Sequence, residues 1–222
     1  MGLSGGMDSA TLLGMLLNEG AEIHVCHFQY GSKQNLYEKI AVEQIIHYYR
    51  LTDLPKIIEH NFDLTSVFSQ FKSNLLNDGG AIPEGYYKSD QMKLTVVPGR
   101  NTIFASIMMG LAESIEAEGI ALGVHAGDHH IYPDCRPGFI RALRKTVAEA
   151  TEGQVRVIMP LLAEDKTSIL EIGYKLDPPV PYHLTRTCYK DQSDSCGKCG
   201  SCSERLEAFI NIGKKDPIKY EK

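Results

Sequence analysis

Ser4-Gly5-Gly6-Met7-Asp8-Ser9 runs directly into a leucine-rich segment, Ala10 to Asn18, then Gly20, then the alternating stretch Ile23-His24-Val25-Cys26-His27-Phe28. Two adjacent glycines between serines at a helix start point several backbone N–H groups, two hydroxyls and the positive helix end at one anion. Asp8 is placed to help set a magnesium ion on that anion. No Gly-Lys-Ser/Thr follows, so this is not a Walker loop, and a plain turn is the competing reading. Gly20 supplies a helix stop, and the alternation after it reads as a strand.

Further along, a helix is expected from about Leu36 to Tyr49, short apolar runs at Pro55 to Glu59 and Leu94 to Val97, and a long helix at Asn101 to Glu118. A buried strand at Ile120 to Val124 and helices near Phe139 to Ala150 and Lys166 to Lys175 complete the pattern. Strands separated by helices imply parallel βαβ units and an α/β fold with a doubly wound, mostly parallel, Rossmann-like sheet over residues 1–175. Leu176 to Pro181, with three prolines in six positions, reads as the passage into a C-terminal helical element, residues 176–222. Ser69 to Lys88, with Asn77-Asp78-Gly79-Gly80 and Pro83, is expected to be a flexible insertion.

That C-terminal element carries Cys188, Cys196, Cys199 and Cys202, with seven, two and two residues between successive members. Thiolates two residues apart reach one tetrahedral ion from a single turn, and Gly197 and Gly200 follow cysteines where a tight turn is needed. A zinc site closed by the fourth cysteine is the expectation. Free or disulfide-bonded thiols and an iron–sulfur cluster are the alternatives. The 222 residues hold 23 Lys plus Arg against 28 Asp plus Glu, a net charge of −5, which favours a small substrate over a nucleic-acid backbone. No run of about 18 apolar residues and no signal-like start is visible, so a soluble, cytoplasmic protein in a reducing compartment is expected, with no membrane contact.

The Ser-Gly-Gly-x-Asp-Ser loop resembles the pyrophosphate loop of the ATP pyrophosphatases. Within that superfamily, Tyr30 to Asn35, Val97 to Phe104, Tyr132-Pro133-Asp134-Cys135-Arg136 and Leu184 to Cys202 resemble, in order, the 7-cyano-7-deazaguanine synthases. The resemblance implies an enzyme that uses ATP, Mg²⁺ and ammonium to turn the carboxylate of 7-carboxy-7-deazaguanine into a nitrile through an adenylated acid and an adenylated amide. It also implies bound Zn²⁺ and a homodimer, with the 101–118 helix as one possible contact. Leu3, Ser4, Gly5, Gly6, Met7, Asp8 and Ser9 would then cradle the nucleotide with Tyr30, Lys33, Arg100 and Asn101. Asp128, Tyr132, Pro133, Asp134 and Arg136 would hold the deazaguanine, and Asp8, Arg100, Asp134 and Arg136 would act in catalysis. Arg100 is a permanently charged bidentate donor suited to a phosphate or carboxylate. Cys135 is read as wall packing, and His129 and His130, adjacent and so pointing apart, as solvated or substrate-facing rather than metal ligands.

Three departures from the family pattern stand out. Only Met1-Gly2-Leu3 precedes the loop, so a shortened or missing central strand is expected. His130-Ile131 and Gln34 replace residues frequent in the family, which leaves open a related deazaguanine in DNA modification or defence. Two other classes also stay open: a tRNA-thiolating relative with iron–sulfur cysteines, and a catalytically inactive nucleotide- or zinc-binding partner protein.

Overall fold

The structure, a computed structural model, describes residues 1–87 and 90–221. In chain order it contains α1 (Met7–Asn18), β1 (Ile23–Gln29), α2 (Asn35–Arg50), β2 (Ile57–Asp63) and the single turn α3 (Thr65–Phe68). Then come α4 (Arg100–Ser114), β3 (Gly119–Ala121), α5 (Pro137–Ala150), β4 (Arg156–Ile158), α6 (Lys166–Lys175) and α7 (Gly200–Asn211). β1 and β2 pair in parallel from Ile23 opposite Ile57 to Gln29 opposite Asp63, and β3 and β4 from Gly119 opposite Arg156.

Residues 1–3 join the two pairs. Gly2 N donates to Ala121 O (3.0 Å), Leu3 N to Cys26 O (3.0 Å), and Cys26 N to Met1 O (2.7 Å). The central strand, expected to be shortened or missing, is present but only three residues long, and it fills the centre of the sheet. The order is β2-β1-(residues 1–3)-β3-β4, a doubly wound arrangement whose direction of travel reverses beside residues 1–3.

Both faces of the sheet are buried, as a parallel sheet requires. In β1, Ile23 and Val25 point into a core shared with α1, α2, α6 and α7, while Cys26 and Phe28 point into the opposite core with α4 and α5. α1 is apolar nearly all round because α6 covers its outer side; Leu12 and Leu13 are fully buried, each contributing about 2 kcal/mol. α5 is amphipathic instead, with Ile140, Leu143 and Val147 buried on one stripe and solvent on the other.

Several boundaries differ from expectation. Leu94 to Val97 is no strand: a 3₁₀ turn spans Asp90–Thr95, Leu94 O accepts from Asn74 N (2.8 Å), and Pro98-Gly99 bends the chain into α4. A four-residue apolar run is too short to separate a strand from a packed loop. α4 ends at Ser114 rather than 118, because Glu116 takes a left-handed conformation (φ 55°). β4 was not anticipated, its signal being the brief run Val155 to Met159. The expected insertion is tied down over its described part: Ser32 pairs with Leu76 and Glu84 with Cys199. Its last residue, Lys88, lies outside the described residues.

Candidate active site

The loops after residues 1–3 and after β3 face each other across the reversal point, where an open α/β sheet presents its crevice. Gly6 caps α1 with no side chain bonded to the first-turn amides, so the Met7, Asp8 and Ser9 N–H groups have no partner within the helix. Ser4 and Ser9 hydroxyls lie 3.1 Å apart, and Ser9 Oγ accepts from Ser4 N (3.2 Å), which fixes the loop as a concave cradle. Gly5 has φ +78°, and a Cβ there would lie 2.8 Å from Ala41 Cβ and 2.9 Å from Glu38 O. The loop can thus sit against α2 only with glycine at this position. Gly123, after β3, plays the same part on the other side: a Cβ would come within 3.1 Å of Ser9 N.

The crevice encloses about 1150 Å³, part of it open to solvent. Leu3, Ser4, Gly6, Met7, Asp8, Ser9, Tyr30, Arg100, Asn101, Asp128 and Tyr132 line it, while Gly5 acts behind the surface. Pro133, Asp134, Arg136 and Lys33 do not line it. Asp134 Oδ2 accepts from Asn101 N (3.0 Å) and so caps α4, Arg136 Nε donates to His129 O (3.0 Å) on the exposed surface, and Lys33 Nζ donates to Gly79 O (3.1 Å) and Gly80 O (2.6 Å). The charge of each is committed to backbone groups outside the crevice. Cys135 is buried against α4, accepts from Asn101 Nδ2 (3.2 Å), and has its thiol pushed well up by burial, an environment that suits packing in the crevice wall.

Beneath the loop lies a charged network that sequence reasoning did not find. Lys166, the first residue of α6, donates to both Asp8 oxygens (2.8 and 2.7 Å) and sits 3.4 Å from Glu204 of α7. Burial opposes both charges, but their mutual attraction outweighs it: Lys166 is held above its ordinary pKa and Asp8 below its own. His125 adds a ring nitrogen 3.1 Å from Lys166 Nζ and 3.5 Å from Asp128 Oδ1, and its Nδ1 accepts from Gly127 N (3.1 Å). Asp128 in turn accepts from Tyr87 Oη (2.7 Å). On the opposite wall, Arg100 Nη1 donates to Tyr30 Oη (3.2 Å), and Glu38 accepts from Ser32 Oγ and Gln34 Nε2, both at 3.3 Å. Burial pushes Glu38 up to about 7. No local motif announces Lys166, His125, Glu204 or Glu38, since each acquires its place only through tertiary contacts.

The C-terminal element forms part of the same wall, with Arg186, Thr187, Tyr189, Ser201 and Glu204 lining the crevice. Its four cysteines are buried, with Sγ atoms all within 4.8 Å of one another. Four thiolates about 2.3 Å from one tetrahedral ion lie about 3.8 Å apart, so the set fits a single ion with little adjustment. A cubane, with an iron at each corner, needs its thiolates spread wider. The N–H groups also suit thiolates: Cys188 Sγ accepts from Lys190 N (3.4 Å) and Cys196 N (3.3 Å), and Cys196 Sγ from Lys198 N (3.4 Å) and Cys199 N (3.2 Å). All six cysteines are free of disulfides.

Behind this element Arg205, fully buried, is bidentate to Asp216 (2.7 and 2.9 Å) and also donates to Thr185 Oγ1 (2.7 Å), Thr187 Oγ1 (3.0 Å) and Tyr182 O (3.0 Å). Between those threonines, Arg186 N donates to Gly5 O (2.8 Å). The cysteine element and the glycine loop are therefore mechanically joined.

A family model described as queuosine biosynthesis protein QueC matches residues 1–213. The chain is 41% identical over 219 residues to the 7-cyano-7-deazaguanine synthase of Marinomonas sp. (strain MWYL1), a match covering 98% of this chain and 95% of that protein. It is 42% identical over 227 residues to that of Desulfotalea psychrophila (strain LSv54 / DSM 12343), covering 98% and 96%, and 42% identical over 218 residues to that of Hahella chejuensis (strain KCTC 2396), covering 98% and 90%. The crevice, the glycine cradle and the cysteine element are thus those of a chain that belongs to the QueC family.

Proposed function

We propose that this chain is a 7-cyano-7-deazaguanine synthase, a carbon–nitrogen ligase that uses ATP, Mg²⁺ and ammonium to convert 7-carboxy-7-deazaguanine into the nitrile. The observation that carries this reading is one crevice in which the uncapped start of α1, Lys166 and Arg100 face the Asp128–Tyr132 segment. A carboxylate is a poor electrophile, so an oxygen of the acid must first become a good leaving group. Transfer of AMP to that oxygen does this, and attack by ammonia then gives the amide. A second transfer, to the amide oxygen, sets up loss of water as AMP and leaves the nitrile. Both transfers depend on positioning and charge neutralisation more than on covalent protein chemistry.

The α1 amides and the Ser4 and Ser9 hydroxyls would receive the β and γ phosphates, with Lys166 neutralising charge below them. Arg100, beside Tyr30, would hold the α-phosphate against the substrate carboxylate. Each Asp8 oxygen, though bonded to Lys166, keeps a second lone pair for magnesium, which would add charge neutralisation at the same phosphates. Asp128, Tyr87 and Tyr132 would meet the deazaguanine, a duty the exposed Arg136 and the helix-capping Asp134 are not placed to share. The four cysteines would hold Zn²⁺ in a structural role. No helix among the described residues is long and apolar enough to cross a membrane, in keeping with a cytoplasmic enzyme. A homodimer would use the outer side of α4, where Ile103 and Ile107 are only half-buried.

The test is direct. Pure protein is mixed with ATP, Mg²⁺, ammonium and 7-carboxy-7-deazaguanine, and AMP, the amide and the nitrile are followed by mass spectrometry. Formation of AMP together with the nitrile is expected; no substrate-dependent AMP would overturn the reading.

A further inference from the structure

Glu38 and Gln34 form an acceptor pair in the wall of the crevice, on the first turn and N-cap of α2. Gln34 Nε2 donates to Glu38 Oε1 (3.3 Å), an orientation that leaves Gln34 Oε1 free. Gln34 is 3% exposed, and that oxygen has no hydrogen-bond partner among the described residues. Glu38 is bonded only to the neutral Ser32 hydroxyl and Gln34 amide, and no cation among the described residues lies within 4 Å of it. Gln34 Oε1 is a buried acceptor without a donor, and beside it Glu38, which lines the crevice, feels Arg100 and Arg186 only at a distance and makes no direct ion pair among the described residues; such a pair is unusual in a folded chain. What satisfies both is a small cation rich in N–H donors. Two such oxygens are too few for magnesium, which demands a near-octahedral shell.

We propose that Glu38 and Gln34 bind the ammonium ion and that the Glu38 carboxylate is the base that converts it to ammonia for attack on the activated acid. This rests on the synthase reading above. One N–H proton passes to the Glu38 carboxylate, and the freed nitrogen lone pair forms the C–N bond at the acyl carbon. The carbonyl π pair moves to oxygen and returns as the C–O bond to AMP breaks. AMP leaves with that electron pair, and the second nitrogen proton goes to the departing phosphate. The groups around Glu38 set its basicity: burial raises it to about 7, and Arg100, the Gln34 and Ser32 hydrogen bonds and Arg186 limit the rise, while Tyr30 on the same wall stays protonated. A base of that strength is ionised in the neutral range yet strong enough to accept a proton.

The experiment compares wild type, Glu38→Gln and Gln34→Leu in three measurements. Substrate-dependent ATP–pyrophosphate exchange without ammonium reports adenylation alone. Wild-type amide formation at fixed total ammonium is expected to rise up to about pH 7 and then level. In Glu38→Gln it should be lower and keep rising roughly tenfold per pH unit with free ammonia. Hydroxylamine, which is already neutral at pH 7, should restore most of the rate to Glu38→Gln. Gln34→Leu should raise KM for ammonium several-fold and, because Glu38 loses an amide donor that lowers its pKa, shift the levelling of the pH profile upward without the unbroken rise expected of Glu38→Gln. Exchange should be unchanged in both variants. Loss of exchange in Glu38→Gln, a raised KM for ATP or the deazaguanine, or a pH profile parallel to wild type would overturn the proposal. Absence of exchange in wild type would instead remove the adenylation reading itself.

Discussion

Replacing Gly5 by Ala tests whether the cradle exists because the glycine loop presses on α2. Two penalties apply. A residue with a Cβ at φ +78° costs about 1–2 kcal/mol, and a methyl 2.8 Å from Ala41 Cβ and 2.9 Å from the Glu38 carbonyl adds about 1–3 kcal/mol of overpacking. Gly213 is the internal control, because it has φ +66° at the end of α7 with nothing within 4 Å of an added Cβ. Gly213→Ala should therefore lose only the conformational part, about 1–2 kcal/mol, and Gly5→Ala about 2–5 kcal/mol. Urea unfolding followed by circular dichroism, with a slope near ~2 kcal/mol per molar, should lower the Gly5→Ala midpoint by roughly 1–2.5 M and the Gly213→Ala midpoint by about 0.5–1 M. Calorimetry with Mg-ATP should show the first variant losing affinity and the second keeping it, because relief of the clash moves the α1 amides. Equal midpoints for the two variants, or unchanged ATP affinity in Gly5→Ala, would refute the reasoning.

Asp8→Ala and Arg100→Ala should each abolish turnover while retaining metal content and far-ultraviolet dichroism, measured on the same preparations. Lys166→Met leaves the Asp8 carboxylate buried without its cation and should destabilise the fold by about 3–5 kcal/mol at pH 7. In wild type the lowered Asp8 pKa contributes stability that is present above the unfolded carboxylate value and fades as pH falls. In the variant, protonation removes the penalty of the stranded charge, so the gap between the two proteins should narrow on acidification, read by urea unfolding from neutral pH downward. Purified protein should carry about one equivalent of zinc by elemental analysis, and Cys199→Ser should lose both the metal and several degrees of melting temperature. Arg205→Ala should cost about 3–5 kcal/mol, because it strands Asp216 and releases Thr185, Thr187 and Tyr182 O together.

What could be read from the chain beforehand was what short-range chemistry determines. The glycine loop, α1, β1 and α6 were legible because cap residues, glycine stops and apolar periodicity act over a few positions. Arg100 was legible because it follows a Pro-Gly turn into a helix. β4 and the three-residue centre of the sheet were too short to announce themselves, and they exist because neighbouring strands supply their hydrogen bonds. Side-chain targets were the least legible. Lys33, Asp134 and Arg136 look like ligand-binding charges in isolation, but each is taken by a carbonyl or amide that folding brings near. Lys166 was missed for the converse reason: its partner Asp8 is 158 positions away, and an ordinary helix-start lysine becomes a buried counter-ion only once α6 packs on α1.

The hydrogen bond from Arg186 to Gly5, two residues upstream of Cys188, would give a metal held by the four cysteines a reach beyond its own site. A chelator or a thiol oxidant acting on the cysteines would slacken the segment that steadies the loop, and would act as an inhibitor at a distance even though nothing competes with the nucleotide. A metal held there would then govern the proposed nucleotide site as well as the fold around it.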